Sequence, residues 1–583
     1  MKRLLASLAA VLVLGAVLVS APAFLISTDA ARARIEAELS AWFGAQVRVG
    51  APPRVAVLPR LSLALDDVSL RGEGWSLTDA SLRARLDLSA LLGGTTRLAS
   101  LVIENPQIRI AVPSEARPQA AMAAGRALQR ILRHPLTVSN GVLRIGEASD
   151  PLLREIALRL ASDGDGASVR GAFLFADQRV EASLALADTA VLAGQGAGSV
   201  VASLASSLAT LRVDAMAGKG GASHLSGSFD LSTSDLRGLL ERFGHAPVGD
   251  AALGVARVSG TGSASLSALE LDTARVELDG NSGEGRLALY DGHEHPRLEG
   301  TLAFERLDLS AYLPEVQGVA PDPDAPGPDW HRVPLYRLLS RMDIDLRLST
   351  ARLVAGELET GPSAVSLLLR DGDLSVNLSE TQVAGGTGTL TVRARPETES
   401  GYAASAMLIG EDLALAEVAL PEDGPQFAAG RVRVRMDVTA RGATLAHLAR
   451  SYRAAIAADA KDIEIQGGDL DRTMDSLLAG ETAQEAGSVS RFDTVAARLE
   501  LDAEALRVSE FDARTPRHRL VLSGRIARAD SGVALRGSVG QRRDDPADAT
   551  APPAKTMPVL VRGTLMAPRL LPDMTGLKGP PDR

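Results

Sequence analysis

The sequence predicts a mainly β protein, built as an N-terminal transmembrane helix followed by an elongated, curved antiparallel β-sheet with a few short helices. Three observations lead to this fold class. Residues 4–26 hold no charged side chain. Further along, apolar and polar residues alternate in many short runs. The segments between these runs are short and rich in Gly, Asp and Ser, which is typical of hairpin connections in an antiparallel sheet.

The N-terminal apolar segment follows directly after Lys2 and Arg3. Because about 20 helical residues cross the hydrocarbon core of a bilayer, residues 4–26 are long enough for a membrane span. The positive flank favours the cytoplasmic side, so the remaining chain is expected outside the cytoplasm. Ala21-Pro22-Ala23 also fits a signal-peptidase site. From this segment alone, retention and cleavage both stay open, and both export the rest of the chain.

A helix is predicted next, over residues 27–43. Ser27 or Thr28 can cap its first turn, and Gly44 can end it. Its apolar residues recur at helical spacing and form one stripe, which consists of Ile35, Leu39, Trp42 and Phe43. Further helices are predicted at 115–133, 234–243, 334–341 and 444–455.

After the first helix the hydrophobic period changes to two, which predicts strands with one apolar and one wet face. In the run 374–378, for example, Ser375 and Asn377 point away from the apolar side. The apolar members of the clearest runs are the candidate residues for lining a groove: Leu61, Leu63, Leu65, Ile344, Leu346, Leu348, Leu374, Val376, Leu378, Val432, Val434 and Met436.

Composition excludes several classes of function. The chain has no cysteine, which rules out disulfides, thiolate zinc sites and a cysteine nucleophile. Its net charge of −10 is spread along the chain without a basic patch, so nucleic acid is not an expected partner. Aromatic residues make up only 3%, which leaves little material for stacking on bases or sugars.

The sequence offers no convincing catalytic, cofactor or metal site. His293 and His295 are the only closely spaced histidines, and they lie in a predicted turn without a third ligand. The glycine clusters at 194–198 and 385–388 lack the lysine of a phosphate-binding loop and are typical of bulges or turns. No G-x-S-x-G nucleophile motif is present. We therefore predict a non-enzymatic protein with no cofactor.

Proline content indicates a boundary within the chain. Residues 314–334, PEVQGVAPDPDAPGPDWHRVP, contain few large apolar residues and are predicted to be a linker. The predicted organisation is an anchor at 1–26, an N-terminal β-rich region at 27–313, the linker at 314–334, a C-terminal β-rich region at 335–570 and a flexible tail at 571–583.

Several segments, in the same order, resemble the AsmA family of envelope proteins. The opening has an apolar anchor, then Thr28-Asp29 and a helix containing Arg32. It is followed by VAVLPRLSLALDDVSL, in which Pro59 precedes alternating leucines, and by the Asn-Pro strand LVIENPQIRI. Similar segments recur in the second half, at 344–395, 431–470 and 558–573.

The resemblance implies a periplasmic, β-rich body on an inner-membrane helix, with an apolar groove and no catalytic residues. Family members are linked to outer-membrane biogenesis, to assembly of outer-membrane proteins and to lipid movement between the two membranes. The expected partners are the inner membrane, phospholipid and envelope proteins. An apolar sheet face can also fill with side chains, so an exported scaffold with a closed core and no lipid transport stays open as the alternative.

Overall fold

The structure, a computed structural model, confirms that the protein is mainly β. It describes residues 28–56, 62–72, 74–86, 98–110, 125–126, 128–129, 131–132, 135–146, 150–218, 224–242, 252–265, 267–292, 295–312, 333–397, 401–418, 427–466, 470–479, 489–502, 504–527, 532–542, 556–564 and 567–573. Contacts divide the chain into two units. The first is Met1–Ala246 with Leu253–Asp279, and the second is Pro247–Ala252 with Gly280–Arg583.

The described part of the first unit combines strands β1 to β15 with two named helices, and the described residues 125–126, 128–129 and 131–132, within the helix predicted at 115–133, are also helical. The helices are α1 (Thr28–Phe43) and α2 (Leu236–Arg242), and a 3-10 turn spans Thr189–Ala193. The strands are β1 (Gln46–Val49), β2 (Arg54–Ala56), β3 (Ser62–Gly72), β4 (Trp75–Leu86), β5 (Leu98–Glu104), β6 (Gln107–Ile110), β7 (Leu136–Ile145), β8 (Leu153–Asp163), β9 (Gly166–Phe175), β10 (Gln178–Leu186), β11 (Gly198–Ala205), β12 (Ala209–Ala217), β13 (His224–Thr233), β14 (Ala256–Ser265) and β15 (Ala268–Leu278).

Among the residues that the structure describes in the second unit, strands β16 to β31 are accompanied by three helices. The helices are α3 (Leu335–Leu339), α4 (Leu445–Ser451) and α5 (Leu470–Ala479), with 3-10 turns at Ser310–Tyr312 and Leu415–Glu417. The strands are β16 (Asn281–Tyr290), β17 (Arg297–Asp308), β18 (Asp343–Ala355), β19 (Leu358–Thr360), β20 (Ser363–Arg370), β21 (Asp373–Val383), β22 (Gly386–Pro396), β23 (Tyr402–Ala414), β24 (Phe427–Gly442), β25 (Arg453–Gln466), β26 (Val489–Leu501), β27 (Ala505–Arg514), β28 (His518–Ala527), β29 (Gly532–Gln541), β30 (Thr556–Thr564) and β31 (Ala567–Pro572).

The sheet is mixed, so the prediction of a purely antiparallel sheet is wrong in this respect. In the first unit β7 pairs in parallel with both β5 and β6. In the second unit β17 and β18 are parallel neighbours, and the proline-rich stretch lies between them in the chain. Parallel neighbours require a long crossover rather than a hairpin, and alternation alone does not reveal which strands such a crossover joins.

Two-residue hairpins set the register in the middle of the second unit. Asp371 and Gly372 adopt φ values of 50° and 80° between the paired residues Arg370 and Asp373. Such positive φ values are those of a type I′ turn, whose twist matches that of the flanking strands. Ala384 and Gly385 make the same kind of connection between β21 and β22. The short segment Asp371-Gly372 is thus a hairpin connection, the type predicted for the Gly-, Asp- and Ser-rich segments between strands.

Helix α1 confirms the helix predicted at 27–43, and it packs on the edge of the first unit's sheet. Phe43 is 4% exposed, and Ile35 and Leu39 pack against the same core. The backbone N–H of Val49 donates to Glu36 Oε1 at 2.7 Å, so a side chain of the helix provides a hydrogen-bond acceptor for strand β1. Short helices also lie within the predicted 234–243, 334–341 and 444–455, although the last of these ends at Ser451, where a strand soon follows.

Several predictions concern residues that the structure does not describe. They include the anchor at 1–26, candidate residue Leu61, His293, most of the linker at 314–334 and the tail beyond Asp573. The predicted domain boundaries stay predictions for the same reason. Among the described residues, which begin at Thr28, none of the helices combines the length and apolar character that a membrane span requires.

Candidate functional site

An apolar face runs across the strands of the second unit as two rows of directly paired residues. The first row is Leu346, Leu367, Val376, Val392, Ala406 and Val438, on β18 and β20–β24. The second row is Leu348, Val365, Leu378, Leu390, Leu408, Met436, Ile456 and Leu499, on β18 and β20–β26. Residues that pair across neighbouring strands point to the same face, so each row is one continuous apolar stripe.

Every side chain in the two rows is half-buried. A packed core would bury such residues almost completely, because a core residue contacts neighbours on all sides. Met474 and Val539, which lie in a packed region of the same unit, are both 0% exposed. Among the described residues, the two rows therefore form an apolar surface. Neighbouring side chains cover part of each residue, and the side that points away from the sheet is accessible.

The opposite face of the same strands carries most of their polar and charged side chains, beside a few apolar ones such as Leu368 and Met407. Asn377 points to this side and its amide donates to Ser366 Oγ and Ser375 Oγ, each at 3.4 Å. On β24 the Arg435 guanidinium donates to Asp437 at 2.8 and 3.2 Å. This hydrogen bond lowers the pKa of the exposed Asp437 carboxyl. The sheet thus has one apolar and one wet face, as the alternation predicts.

Side chains fill the apolar face at both ends of the strands. At one end α3 and α4 cover it, and Leu335, Ala394 and Tyr402 form a small core there. Burial in this core raises the pKa of the Tyr402 phenol. At the other end α5 contributes Met474 to a second core, which also contains Leu520 and further residues of β25 to β30. The two open rows lie between these covered ends.

The candidate residues fall into three groups. Leu346, Leu348, Val376, Leu378 and Met436 lie in the two rows. Ile344 and Val434 are half-buried on the same face, whereas Leu374 packs against the core below α3 and Val432 against the core below α5. In the first unit, Leu63 packs against a filled core and Leu65 within it is 2% exposed.

Sequence reasoning missed most partners of these residues on the neighbouring strands. Leu390 and Val392 on β22 alternate with threonine and arginine, so a signal was available in the sequence TLTVRA. Ile456 on β25 stands in the alanine-rich RAAIAADA, where alternation is weak. The pairing of these residues with β21 and β24 depends on turn geometry rather than on composition.

The first unit carries a comparable row, which consists of Leu204, Leu211, Leu231, Val258 and Val276. Leu204 is 38% exposed and Leu231 is 41% exposed. Towards the other end of the same strands, Val200 and Ala217 are buried in the core that includes Phe43. Each unit, considered by itself, therefore combines a filled core with an apolar stripe that is open.

A polar cleft of about 340 Å³ lies on the wet face of β16–β18. Arg286 and Arg347 flank Thr301 on the two neighbouring strands, and Glu299 and Asp345 supply opposite charges beside them. This lining suits neither an acyl chain nor a strongly charged ligand. Among the described residues, no group of three His, Cys, Asp or Glu side chains is placed to hold a metal ion.

Comparison with known proteins adds no relative. The chain matches no protein-family profile, no curated protein and no solved structure.

Proposed function

We propose that this chain is a membrane-anchored periplasmic protein of outer-membrane biogenesis. It carries or bridges phospholipid between the inner and outer membranes along its apolar sheet face, and it influences the assembly of outer-membrane proteins. It is not an enzyme and needs no cofactor. The inner membrane, held through residues 4–26, and lipid are its primary partners.

The single observation that carries the lipid proposal is the pair of half-buried apolar rows. Exposed apolar surface in water is unfavourable, and each CH₂ of an acyl chain transferred onto it gains roughly 0.8 kcal/mol. A continuous stripe of Leu, Val, Ile and Met side chains across β18 and β20–β26 offers such transfer without a fixed polar contact. The surface suits a ligand that is long, apolar and able to slide.

The length of the second row also suits an acyl chain. Strands lie about 4.8 Å apart, so the row from β18 to β26 extends over about 34 Å. One leaflet of a bilayer has an acyl region of about 15 Å, half of the roughly 30 Å hydrocarbon core. The row is therefore long enough for acyl chains to lie across the strands, whereas a single side-chain-sized pocket would not accommodate them.

The location and the link to outer-membrane biogenesis rest on the resemblance to the AsmA family and on the N-terminal segment. Lys2 and Arg3 before the apolar run orient the body away from the cytoplasm. The order of the segments that resemble the AsmA family supports a periplasmic location for the chain that follows the N-terminal segment. No individual residue inherits a role, because the functional part is a face.

The alternative is an exported scaffold with a closed core. The filled core around Leu65 and the one below α5 favour it, since both are built entirely from the protein's own side chains. The two readings differ in what covers the rows on β18 and β20–β26. A scaffold needs a protein partner or another segment over these residues, whereas a conduit needs lipid.

Neighbouring residues of β21 provide a matched test. Val376 lies in the first row, and Asn377 points to the wet face of the same strand. A photocrosslinking amino acid at position 376 should capture phospholipid in cells, and the same group at position 377 should not. Mass spectrometry of the purified adducts measures both. Capture of protein alone at position 376 would favour the scaffold.

The substitution Val376→Asp separates the two readings by stability. On an open face the carboxylate stays hydrated, so the protein should fold normally while lipid capture and envelope function fall. In a sealed core the same change buries an unpaired charge and unfolds the region. Circular dichroism and thermal unfolding provide the measurement, and Asn377→Asp is the control. Unfolding of the Val376→Asp variant alone would contradict an open face.

A further inference from the structure

Helix α5 covers the apolar face directly beside the open rows. Met474 on this helix is 0% exposed and belongs to a core that also contains Leu520 and Val561, with Leu535 packed against it, on strands that continue the same face. Leu535 pairs with Val561 across β29 and β30, as members of the open rows do across their strands. The face below α5 therefore has the same character as the open rows, and α5 contributes Met474 to the core that fills it.

Two carboxylates of α5 hold one buried histidine of the sheet. Asp471 and Asp475 are one helical turn apart and reach His518, which is 0% exposed at the start of β28. Nδ1 of His518 lies 2.7 Å from Asp471 Oδ1. Nε2 lies 3.0 Å from Asp475 Oδ1, although the alignment is not that of a hydrogen bond. Both ring nitrogens thus face a carboxylate.

Other charged groups complete this cluster. Arg517 lies 2.8 Å from Asp475 and 3.7 Å from Asp471, and Thr515 donates its hydroxyl to Asp471. From the neighbouring strands, Arg542 donates to the Thr515 carbonyl and pairs with Asp493. Arg517 and a His518 that carries a proton on each nitrogen would together balance the two carboxylates of α5.

The charge state of His518 decides how well this arrangement holds. An imidazolium carries an N–H at both nitrogens, so it can donate to Asp471 and attract the nearby Asp475 carboxylate electrostatically. A neutral imidazole has one lone pair, which would face a carboxylate in a buried site and repel it. Protonation of the two carboxylates at low pH would remove the ion pairs as well. Docking of α5 is therefore strongest between these limits.

We propose that α5 is a pH-controlled cover of the apolar face, held closed by the His518 imidazolium between Asp471 and Asp475. When His518 loses its proton, α5 lifts and the apolar surface extends from the open rows onto β27–β30. The cover regulates the lipid-carrying face and in that sense rests on the proposed function. Its docking, however, is measurable without lipid.

The absence of cysteine makes a clean reporter available. In Met474→Cys, the single thiol lies beneath α5, and its rate of maleimide labelling measures lifting of the helix. Thr439→Cys, on an exposed strand position, corrects for the intrinsic effect of pH on thiol reactivity. The corrected rate should rise as the pH is raised, because loss of the imidazolium proton removes one of the two N–H groups that face the carboxylates of α5. We expect about a ten-fold rise, the scale of one charged hydrogen bond.

Variants in the Met474→Cys background complete the test. His518→Gln should label rapidly at every pH tested. Asp475→Asn should give a smaller rise with pH, and it serves as the second variant if His518→Gln folds poorly. Asp459→Asn breaks the exposed pair with Arg498 and should leave labelling unchanged. A corrected rate that is independent of pH, or one that rises only with loss of the β-sheet circular dichroism signal, overturns the proposal. Either result leaves the lipid crosslinking experiment unaffected.

Discussion

Asp512 illustrates how a single residue contributes to the wet face of the second unit. It is only 8% exposed, and Arg519 donates to it at 3.1 and 2.8 Å while Arg514 donates at 3.2 Å. Burial is the largest influence and opposes ionisation, but the hydrogen bonds and charges of Arg519 and Arg514 together lower the pKa of Asp512. The carboxylate is therefore ionised in the folded state.

This lowered pKa predicts a pH dependence of stability. Because the folded pKa of Asp512 lies below its unfolded value, the pair stabilises the fold above the unfolded pKa, and this contribution is lost as the pH falls through the folded pKa. Asp512→Asn should reduce the free energy of unfolding by on the order of 2 kcal/mol at neutral pH and by less in acid. Urea unfolding at both pH values measures this. An equal loss at both would contradict it, and Asp459→Asn, in an exposed pair, should stay within about 0.5 kcal/mol.

At the residue level, the sequence predicted which side chains of one strand share a face, but not what lies beside them. Alternation in 374–378 placed Leu374, Val376 and Leu378 on one side, and β21 has this arrangement. Both Leu374 and Val376 are half-buried, and nothing in the pattern distinguished Leu374, which packs against the core below α3 and α4, from Val376, which lies in the open first row. Whether a strand residue is covered depends on a helix that is distant in sequence. Local periodicity does not show where such a helix packs.

At the level of elements, glycines in β14 permit the close approach of β15. A Cβ at Gly262 would lie 1.9 Å from the Glu270 carbonyl oxygen, and one at Gly260 would lie 2.0 Å from that of Thr273. The register also shifts between Thr261 and Gly262. A carbonyl oxygen of the neighbouring backbone thus occupies the space of the missing side chain.

Gly262→Ala should consequently destabilise the first unit by on the order of 2 kcal/mol, because the backbone of β15 must move to admit the methyl group. Thermal or urea unfolding measures the change. Gly218→Ala is the matched control, since nothing lies within 4 Å of its added Cβ. Its free energy of unfolding should change by less than about 1 kcal/mol. Equal effects of the two substitutions would show that the close approach is relieved without cost.

The elements that sequence reasoning missed are those whose role depends on long-range packing. Helix α5 has Leu470, Met474 and Leu477 at helical spacing, but its ten residues stand among strong strand patterns and a Gly-Gly pair. The parallel neighbours β17 and β18 each alternate like any antiparallel strand. Their parallel pairing depends on the long connection between them, which includes the proline-rich stretch. The alternation of either strand does not show the direction in which the two strands pair.

At the level of the whole molecule, the proposal needs the N-terminal segment to remain attached. An apolar face that exchanges lipid with a bilayer must stay near it, and residues 4–26 followed by α1 would hold the body there. The mature protein should therefore begin at or near Met1 and remain with membranes after a carbonate wash. Replacing residues 1–26 by a cleavable signal should release the body while leaving its unfolding temperature unchanged, and should reduce lipid capture at position 376. A mature N-terminus at Phe24 in the natural protein would instead identify the segment as a signal peptide, and the face would then have to reach lipid from solution.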